Sequence, residues 1–502
     1  MTHAAPAVVE RLPLRTKLAF GVGSAAEAIA LFAVTAYAML FYNQVLGVPP
    51  HWLGIAISAS LVLDGLTEPI VGSWSDRTKS ARFGRRHSWM YAAPIPIALS
   101  FYAIFAPPAG LTNVQLAIWC CVSVTMLRQV MTFFHTPHLA LGAELSPHYT
   151  ERSKVMAYNS FFTWAGASAM SWIALTFFFP KTPEYRNGLL NPEPWQNFAM
   201  VFAVAIVVIL FASAWFTRDR IPTLPQPADD APKFSAAEFV QDVWKALRNV
   251  NYVWLLIGYF FLSMMLGLRE SLRMHAATFY WELTSEQLRW FIIGSFIGYA
   301  TAFVFAARMH GKYDKKRTAI VACLIYAVVP AIPLTMGMAG ILTPQTPNLL
   351  WILIAFGAVG YGAVSVLQIS AMSMLADIAD ENELRFGVRQ EGVLYATRAL
   401  SAKIDQAIGT FLAGMVLLAI AFPEKARPGA IDADVLYNLA MWDGILASVP
   451  GVIAAFCYGR YRINQATYEA TRAALAERRR AGPQPVATGG PAPAAPAPAP
   501  AE

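Results

Sequence analysis

Stretches of roughly twenty apolar residues, the length a helix needs to cross a bilayer, recur along the whole chain with short polar connections between them. They cover 17–43, 51–75, 88–106, 113–141, 156–180 and 196–216, then 249–278, 286–309, 318–340, 348–376, 390–421 and 434–458. The pattern predicts an all-α membrane protein with twelve transmembrane helices in two pseudo-symmetric bundles of six. Lysine and arginine then separate the two faces. One set of connections carries Arg77, Lys79, Arg82, Arg85 and Arg86, then Arg218, Arg220, Lys233, Lys245 and Arg248, then Lys312, Lys315, Lys316 and Arg317. The short opposite connections at 44–52, 106–113 and 338–348 carry no Lys or Arg, so the positive-inside rule puts the first set, and with it both termini, in the cytoplasm.

Five segments follow from this map: a cytoplasmic N-terminal segment at 1–16, an N-terminal bundle at 17–217, a linker at 218–248, a C-terminal bundle at 249–458 and a tail at 459–502. The linker opens with the Pro-interrupted IPTLPQPADDAPK and continues as FSAAEFVQDVWKALRNV, whose apolar residues have the spacing of an amphipathic surface helix. The tail holds a short charged helix, TYEATRAALAERRR, and ends in a Pro/Ala-rich run with nothing to bury, so that end is expected to be disordered. The halves also echo each other. The basic loop after span 2 is matched by GKYDKKR after span 8, and ELSPHYTERSK after span 4 by ADENELRFGVRQE after span 10. Such repeats place a binding site near the midplane between the bundles.

Composition narrows the class. Of 502 residues 56% are hydrophobic and 14% charged, with mean hydropathy +0.45, which excludes an ordinary soluble protein. A net charge of +7 would fit nucleic acid, but the bases sit in loops between apolar runs, and that partner is rejected. Cys120, Cys121, Cys323 and Cys457 lie in apolar segments without zinc or disulfide spacing, and read as small apolar fillers. No ATP-binding loop, catalytic triad order or metal motif is present in the sequence, so a transporter is expected rather than an enzyme, without a cofactor.

The chemistry concentrates in Leu61–Met90. Asp64, Thr67 and Glu68 stand at i, i+3 and i+4 on one helical face, and Pro69, lacking an N–H, leaves the carbonyl of Gly65 without its usual partner. Two carboxylates, a hydroxyl and a freed carbonyl make an oxygen nest for Na⁺, with proton binding by a carboxylate as the competing use. The bland reading is that both acids only pair with bases to help folding, but acids are costly to keep in a span for that alone. Span 4 adds Arg128, Thr132 and His135, with Arg128 placed to neutralise the acids when no cation is bound. Span 7 carries Arg269, Glu270 and Arg273, and span 11 carries Arg398, Lys403 and Asp405; bases in a midplane cavity would favour an anionic cargo. Snorkelling of Arg269 and Arg273, or local neutralisation by Glu270 and Asp405, explains them equally well. Asp76, Arg77, Arg85, Arg86, Glu144, Glu151, Arg152 and Asp377 read as a cytoplasmic latch between the halves, with simple topology marking as the alternative.

These residues carry a resemblance. From Thr16 to about Tyr461 the chain resembles the glycoside–pentoside–hexuronide:cation symporters of the major facilitator superfamily. The specific piece is Asp64 to Pro69, followed by Gly72-x-x-x-Asp76-Arg77-Thr78 and Phe83-Gly84-Arg85-Arg86; Phe41-Tyr42, Pro137, Ala376-Asp377-Ile378 and Lys403 support it. The resemblance implies the major facilitator fold and a cation site at Asp64, Glu68 and Thr132 with Lys403 beside it. Glu68 stands where an aspartate is usual, and His87-Ser88-Trp89 replaces the usual basic-Pro-aromatic ending. The sugar pocket does not carry over: Ala28, His135, Leu139 and Ser160 occupy its positions, with Glu27 one residue from the first. The run FHTPHLALGAEL…TERSKVMAYN is similar instead to the sodium-dependent lysophospholipid symporters.

The expectation is a monomeric, multi-pass cation-coupled symporter (Na⁺ or H⁺) in a bacterial inner membrane, importing a small solute, a glycoside or uronide. A lysolipid or other amphipathic anion is the alternative cargo, and a proton-driven exporter the alternative mode. Asp64, Thr67, Glu68, Thr132 and Lys403 are the expected cation and coupling residues, with Asp64 and Glu68 the Na⁺ carboxylates. Glu27, Arg128, His135, Arg269, Arg273 and Arg398 are expected to meet substrate.

Overall fold

The computed structural model describes residues 12–78, 80, 82–146, 148–224, 241, 243–386 and 391–480. The first part of the expected amphipathic helix of the linker and the Pro/Ala-rich end of the tail lie outside these residues. The described residues are almost entirely helical. Eleven helices among the described residues are long and apolar enough to cross a membrane, and the twelfth path is shorter. The N-terminal bundle consists of α1 (Leu14–Ala33), α2 (Pro50–Arg77), α3 (Pro94–Phe105), α4 (Asn113–Glu144), α5 (Tyr149–Ile173) and α6 (Pro194–Thr217). The C-terminal bundle consists of α7 (Val250–His275), α8 (Phe291–Tyr313), α9 (Lys315–Val328), α10 (Leu349–Phe386), α11 (Glu391–Ala419) and α12 (Ala433–Met441). The last continues through a wide turn, Trp442–Leu446, into Ala447–Gly459, and α13 (Gln465–Arg480) follows outside the bundle. The short twelfth path is α3, entered from His87–Ala92. Pro94 interrupts the helix there because it offers no N–H, while Ile97 N–H bonds Ala93 O at 3.0 Å and carries the path on.

The repeat read in the loops recurs in the packing. In the first half α1 packs on α5 and α6, α2 on α4, and α3 on α4 and α6; in the second, α7 packs on α11 and on Ala447–Gly459, the continuation of α12, α8 on α10, and α9 on α10 and that same continuation. The order of partners is the same, which two copies of one six-helix unit would show.

Between the halves the long seam is α2 against α11. Small residues make it close: a Cβ on Gly54 would lie 3.2 Å from the Gly414 Cα and from the Phe411 carbonyl oxygen, so any larger side chain would push the helices apart. Ser58 Oγ donates to Ala407 O across the same seam at 2.7 Å. A second set of contacts closes the face opposite the basic loops. Gln44 donates to Pro423 O at 3.1 Å and accepts from Ala426 N–H at 2.9 Å. Asn187 donates to Thr278 Oγ1 at 2.9 Å, Gly188 N–H to Ser285 Oγ at 2.6 Å, and Arg186 pairs with Glu282 at 2.9 Å. Beneath that cap, Trp195 fills the N-terminal bundle with Phe41 and Phe179 at ring distances of 4.5 and 4.4 Å, a large buried aromatic area that holds the cap rigid.

Candidate functional site

At the middle of the α2–α11 seam, Lys403 reaches across to two carboxylates. Its Nζ lies 2.9 Å from Asp64 Oδ2 and 2.8 Å from Glu68 Oε2. The spacing of Asp64 and Glu68, four residues apart on a helix that runs on through Pro69, turns both acids toward α11. Gly65 lets the lysine in: a Cβ there would be 3.0 Å from Leu400 Cδ1 and 3.5 Å from Lys403 Cβ. On the other side of Asp64, Thr132 of α4 donates its hydroxyl to Oδ1 at 2.6 Å. Burial is graded along the site, since the Asp64 side chain is 9% exposed while those of Lys403 and Glu68 are 25% and 27% exposed. The point between the acids is therefore one where a single positive charge is strongly favoured, and here an ammonium from the opposite half supplies it. No cluster of three or more His, Cys, Asp or Glu side chains suited to a metal occurs among the described residues. A cation between Asp64 and Glu68 would complete its shell from Thr132 and from carbonyl or water oxygens, as hard cations accept.

Two expected members of this cluster are placed differently. Thr67 donates to Gln129 Oε1 at 2.7 Å and to Leu63 O at 2.9 Å, so its hydroxyl is engaged with α4 and the backbone. Arg128 is 7% exposed, its Nε has no hydrogen-bond partner, and it makes no ion pair with either acid. Lys403 is the base in direct contact with both acids, because α11 brings a flexible ammonium between the carboxylates, while Arg128, held one turn before Thr132 on α4, interacts with Asp64 only through its charge.

The Glu27–His135 pair adjoins the cluster. The two side chains, from α1 and α4, are bonded directly, and His135 is 40% exposed at its side chain while Glu27 is 9% exposed. His138 fixes their register by stacking on Phe20 at 4.3 Å and on Phe134 at 5.2 Å and bonding Phe20 O at 2.9 Å. One histidine of this run is thus a packing residue, and the other faces the interior with a carboxylate at its back.

The three arginines expected to meet substrate in the second half divide. Arg269 is consumed by the protein: it donates to Tyr326 O and Ala327 O at 2.7 Å each and to Ser448 Oγ at 2.8 Å. Pro330 cannot donate to Tyr326 O, and Arg269 satisfies the acceptor left over, so this residue holds the break after α9 rather than a cargo. Arg273 pairs with Glu270 at 2.9 Å and bonds the Tyr361 hydroxyl, and about a third of each charged side chain is exposed, 33% and 29%. Arg398 lies over the Tyr259 ring at 4.6 Å.

With the opposite face closed, Asp76, Arg85, Arg86, Glu144, Glu151 and Asp377, expected to latch the basic-loop side between the halves when the protein opens outward, pair within their own halves. Glu144 takes Arg85 at 2.6 Å and Arg86 at 2.7 Å, and Arg86 also holds Asp76 at 2.6 Å. Glu151 takes Lys17 and Lys154 at 2.6 and 2.7 Å, Arg152 donates to Ser146 O at 2.7 Å, and Asp377 takes Lys315 at 2.7 Å. Lys17, Lys154 and Lys315 stand on helices of the same bundle as the acids and reach them first. Arg77 closes α2.

Residues 19–465 match the family described as MFS/sugar transport protein. The isoprimeverose transporter of Lactiplantibacillus pentosus is 24% identical over 89% of this chain and 89% of its own length. The sodium-dependent lysophosphatidylcholine symporter 1 of Xenopus tropicalis is 26% identical over 150 residues, 30% of this chain and 28% of its own. Among solved structures, the partially occluded inward-open xylose transporter XylE of E. coli superposes with a TM-score of 0.57 at 13% identity, covering 90% of this chain and 98% of that one; this likeness concerns the fold.

Proposed function

The chain belongs to the MFS/sugar transport protein family, and we propose that it is a cation-coupled symporter whose coupling site is the Asp64–Glu68–Thr132–Lys403 cluster. It is a membrane transporter and not an enzyme. The observation that carries the reading is the Lys403 ammonium, donated by one half, seated between two carboxylates of the other. A cation entering between Asp64 and Glu68 takes over their charge and releases Lys403, so cation binding changes what holds α2 against α11. Because both acids cannot stay charged and bare in the membrane interior, the site holds either the lysine or the cation, and rocking of the halves is tied to which one is present. Na⁺ and H⁺ are both served by this donor set.

Cargo in this reading sits beside the cluster, against Glu27–His135 on one side and Glu270–Arg273–Tyr361 on the other. Paired acids and bases offer both donors and acceptors to hydroxyl groups, and Lys403, once released, adds a positive charge. A glycoside or uronide fits this chemistry. A second reading, an amphipathic anion such as a lysolipid, is favoured by the partial likeness to the lysophosphatidylcholine symporter. The protein works as a monomer in a bacterial inner membrane with both termini in the cytoplasm. Uptake by proteoliposomes, tested with glycosides, uronides and lysolipids under inward Na⁺ or H⁺ gradients, decides the cargo, the coupling cation and the direction of transport. Accumulation driven by one inward cation gradient supports the symporter; accumulation driven only by an opposite gradient would establish an exporter and overturn it.

A further inference from the structure

A groove on the outside of the N-terminal bundle is independent of the coupling cluster. It lies between the α3 path and α6, is shallow and open to the outside, and is lined by Tyr91, Phe211, Ala212 and Trp215. Its walls are held by contacts within the bundle. Tyr91 stacks on Phe211 at 6.4 Å and donates its hydroxyl to Ala214 O at 3.3 Å, while Phe83 meets Tyr91 edge-on at 5.5 Å. Trp215 and Phe83 remain 52% and 41% exposed, and an apolar wall of this kind on a transmembrane bundle faces acyl chains.

What distinguishes the groove from ordinary lipid-facing surface is the charge at its end. Arg218 lies flat over the Trp215 ring at 3.3 Å, Arg82 over Phe83 at 5.2 Å, and Arg15 over Phe216 at 5.0 Å. Two loops bring Arg82 and Arg218 to one end: a Cβ on Gly84 would lie 2.8 Å from Ile221 Cγ2, so the 82–84 loop touches the Arg218–Thr223 turn. The nearby carboxylate, Asp219, pairs with Arg220 at 3.6 Å, and none of Arg15, Arg82 and Arg218 has a carboxylate partner among the described residues. Two guanidinium groups, Arg82 and Arg218, held on aromatic rings at the basic-loop end of an apolar groove, match a molecule that is apolar along its length and anionic at its head.

We propose that this groove binds an acidic phospholipid of the leaflet on the basic-loop side, with an acyl chain along Tyr91, Phe211 and Trp215 and the phosphate between Arg82 and Arg218. Arginine supports the headgroup by forked hydrogen bonds to phosphate oxygens, and the surface charge adds to the attraction as it does for other basic sites beneath a membrane face. The lipid would fasten the α2–α3 loop to the end of α6.

The test is native mass spectrometry of the purified full chain in detergent, titrated with dioleoylphosphatidylglycerol, with dioleoylphosphatidylcholine and with inorganic phosphate. One phosphatidylglycerol is expected to stay bound where phosphatidylcholine and phosphate do not. Arg82→Gln and Arg218→Gln should each weaken it about fivefold, and Phe211→Ala should shorten its retention without restoring any preference for phosphatidylcholine. Arg218→Lys, which keeps the charge, guards against a folding artefact and should bind between wild type and Arg218→Gln. Equal binding of the two phospholipids, or an unchanged phosphatidylglycerol affinity in the Arg82→Gln/Arg218→Gln double variant, would overturn the proposal, whatever the outcome for transport.

Discussion

Replacing Lys403 by methionine should make the coupling site bind its cation more tightly while making the cation-free protein less stable. Methionine keeps the unbranched packing against Gly65 and Leu400 but removes the ammonium from between Asp64 and Glu68. Each of the two contacts, at 2.9 and 2.8 Å, has a Coulomb attraction of about 6 kcal/mol at an effective dielectric near 20. Desolvation offsets most of this, and Lys403 is itself a quarter exposed, so the net hold is about 2–3 kcal/mol. A cation in the wild type must displace that hold, so the methionine variant should bind roughly 30- to 150-fold more tightly. The assay is thermal unfolding of the purified protein, titrated with Na⁺ at fixed pH and with protons in the absence of Na⁺. Without added cation, the variant should unfold a few degrees earlier, at about 2 °C or less per kcal/mol for a chain of this size. At saturating cation the gap should narrow or reverse. If the apparent cation affinity of Lys403→Met stays within about twofold of wild type, far below the change worked out above, the lysine and the cation do not compete and the reasoning fails.

Other consequences can be checked alongside. Thr132→Val removes the hydroxyl that Asp64 accepts at 2.6 Å; the cation-dependent thermal shift should weaken by about 1.5–3 kcal/mol in binding, read as a right-shifted titration with the fold intact. Arg269→Ala leaves the Tyr326 carbonyl without its donor, while Ala327 O keeps Ser448 Oγ at 2.7 Å, and should cost about 1–3 kcal/mol of stability, seen as a lower unfolding midpoint, while the KM of the protein that survives stays unchanged. Asn187→Cys with Thr278→Cys, at positions bonded across the closed face, should form a disulfide under mild oxidation and stop transport until reduced.

Much of this architecture can be read directly in the residues. Twelve apolar runs, the sorting of bases between loops and the echo between loops 2 and 8 foretell the two bundles, because hydrophobic length and charge placement are set by the bilayer and not by tertiary detail. Asp64 and Glu68 are legible for the same reason: acids in a span stand out against their surroundings. Partners are harder. Periodicity shows that Asp64 and Glu68 share a face, but not that a lysine more than three hundred positions later arrives between them; only the family resemblance placed Lys403 nearby. The Glu27–His135 bond joins two residues that the sequence presents singly, and its register depends on His138 stacking on Phe20. Gln129, which takes up the Thr67 hydroxyl, carries no charge signal at all. Arg269 shows the same difficulty: a base in a span invites a functional role, whereas the acceptor it satisfies here is freed by Pro330 on another helix. The basic-loop acids show the same limit, since charge pattern tells that they pair and not on which side of the seam.

The most direct test compares wild type with Asp64→Asn/Glu68→Gln in proteoliposomes, once a transported solute is in hand, by measuring both gradient-driven accumulation and exchange of solute at equal concentrations. Wild type should accumulate solute under an inward gradient of the coupling cation. The double variant should lose accumulation, since Lys403 no longer has charged acids to leave and the cation no charge to join, while exchange across the membrane persists. Undiminished gradient-driven accumulation in the double variant would contradict the placement of coupling at Asp64, Glu68 and Lys403.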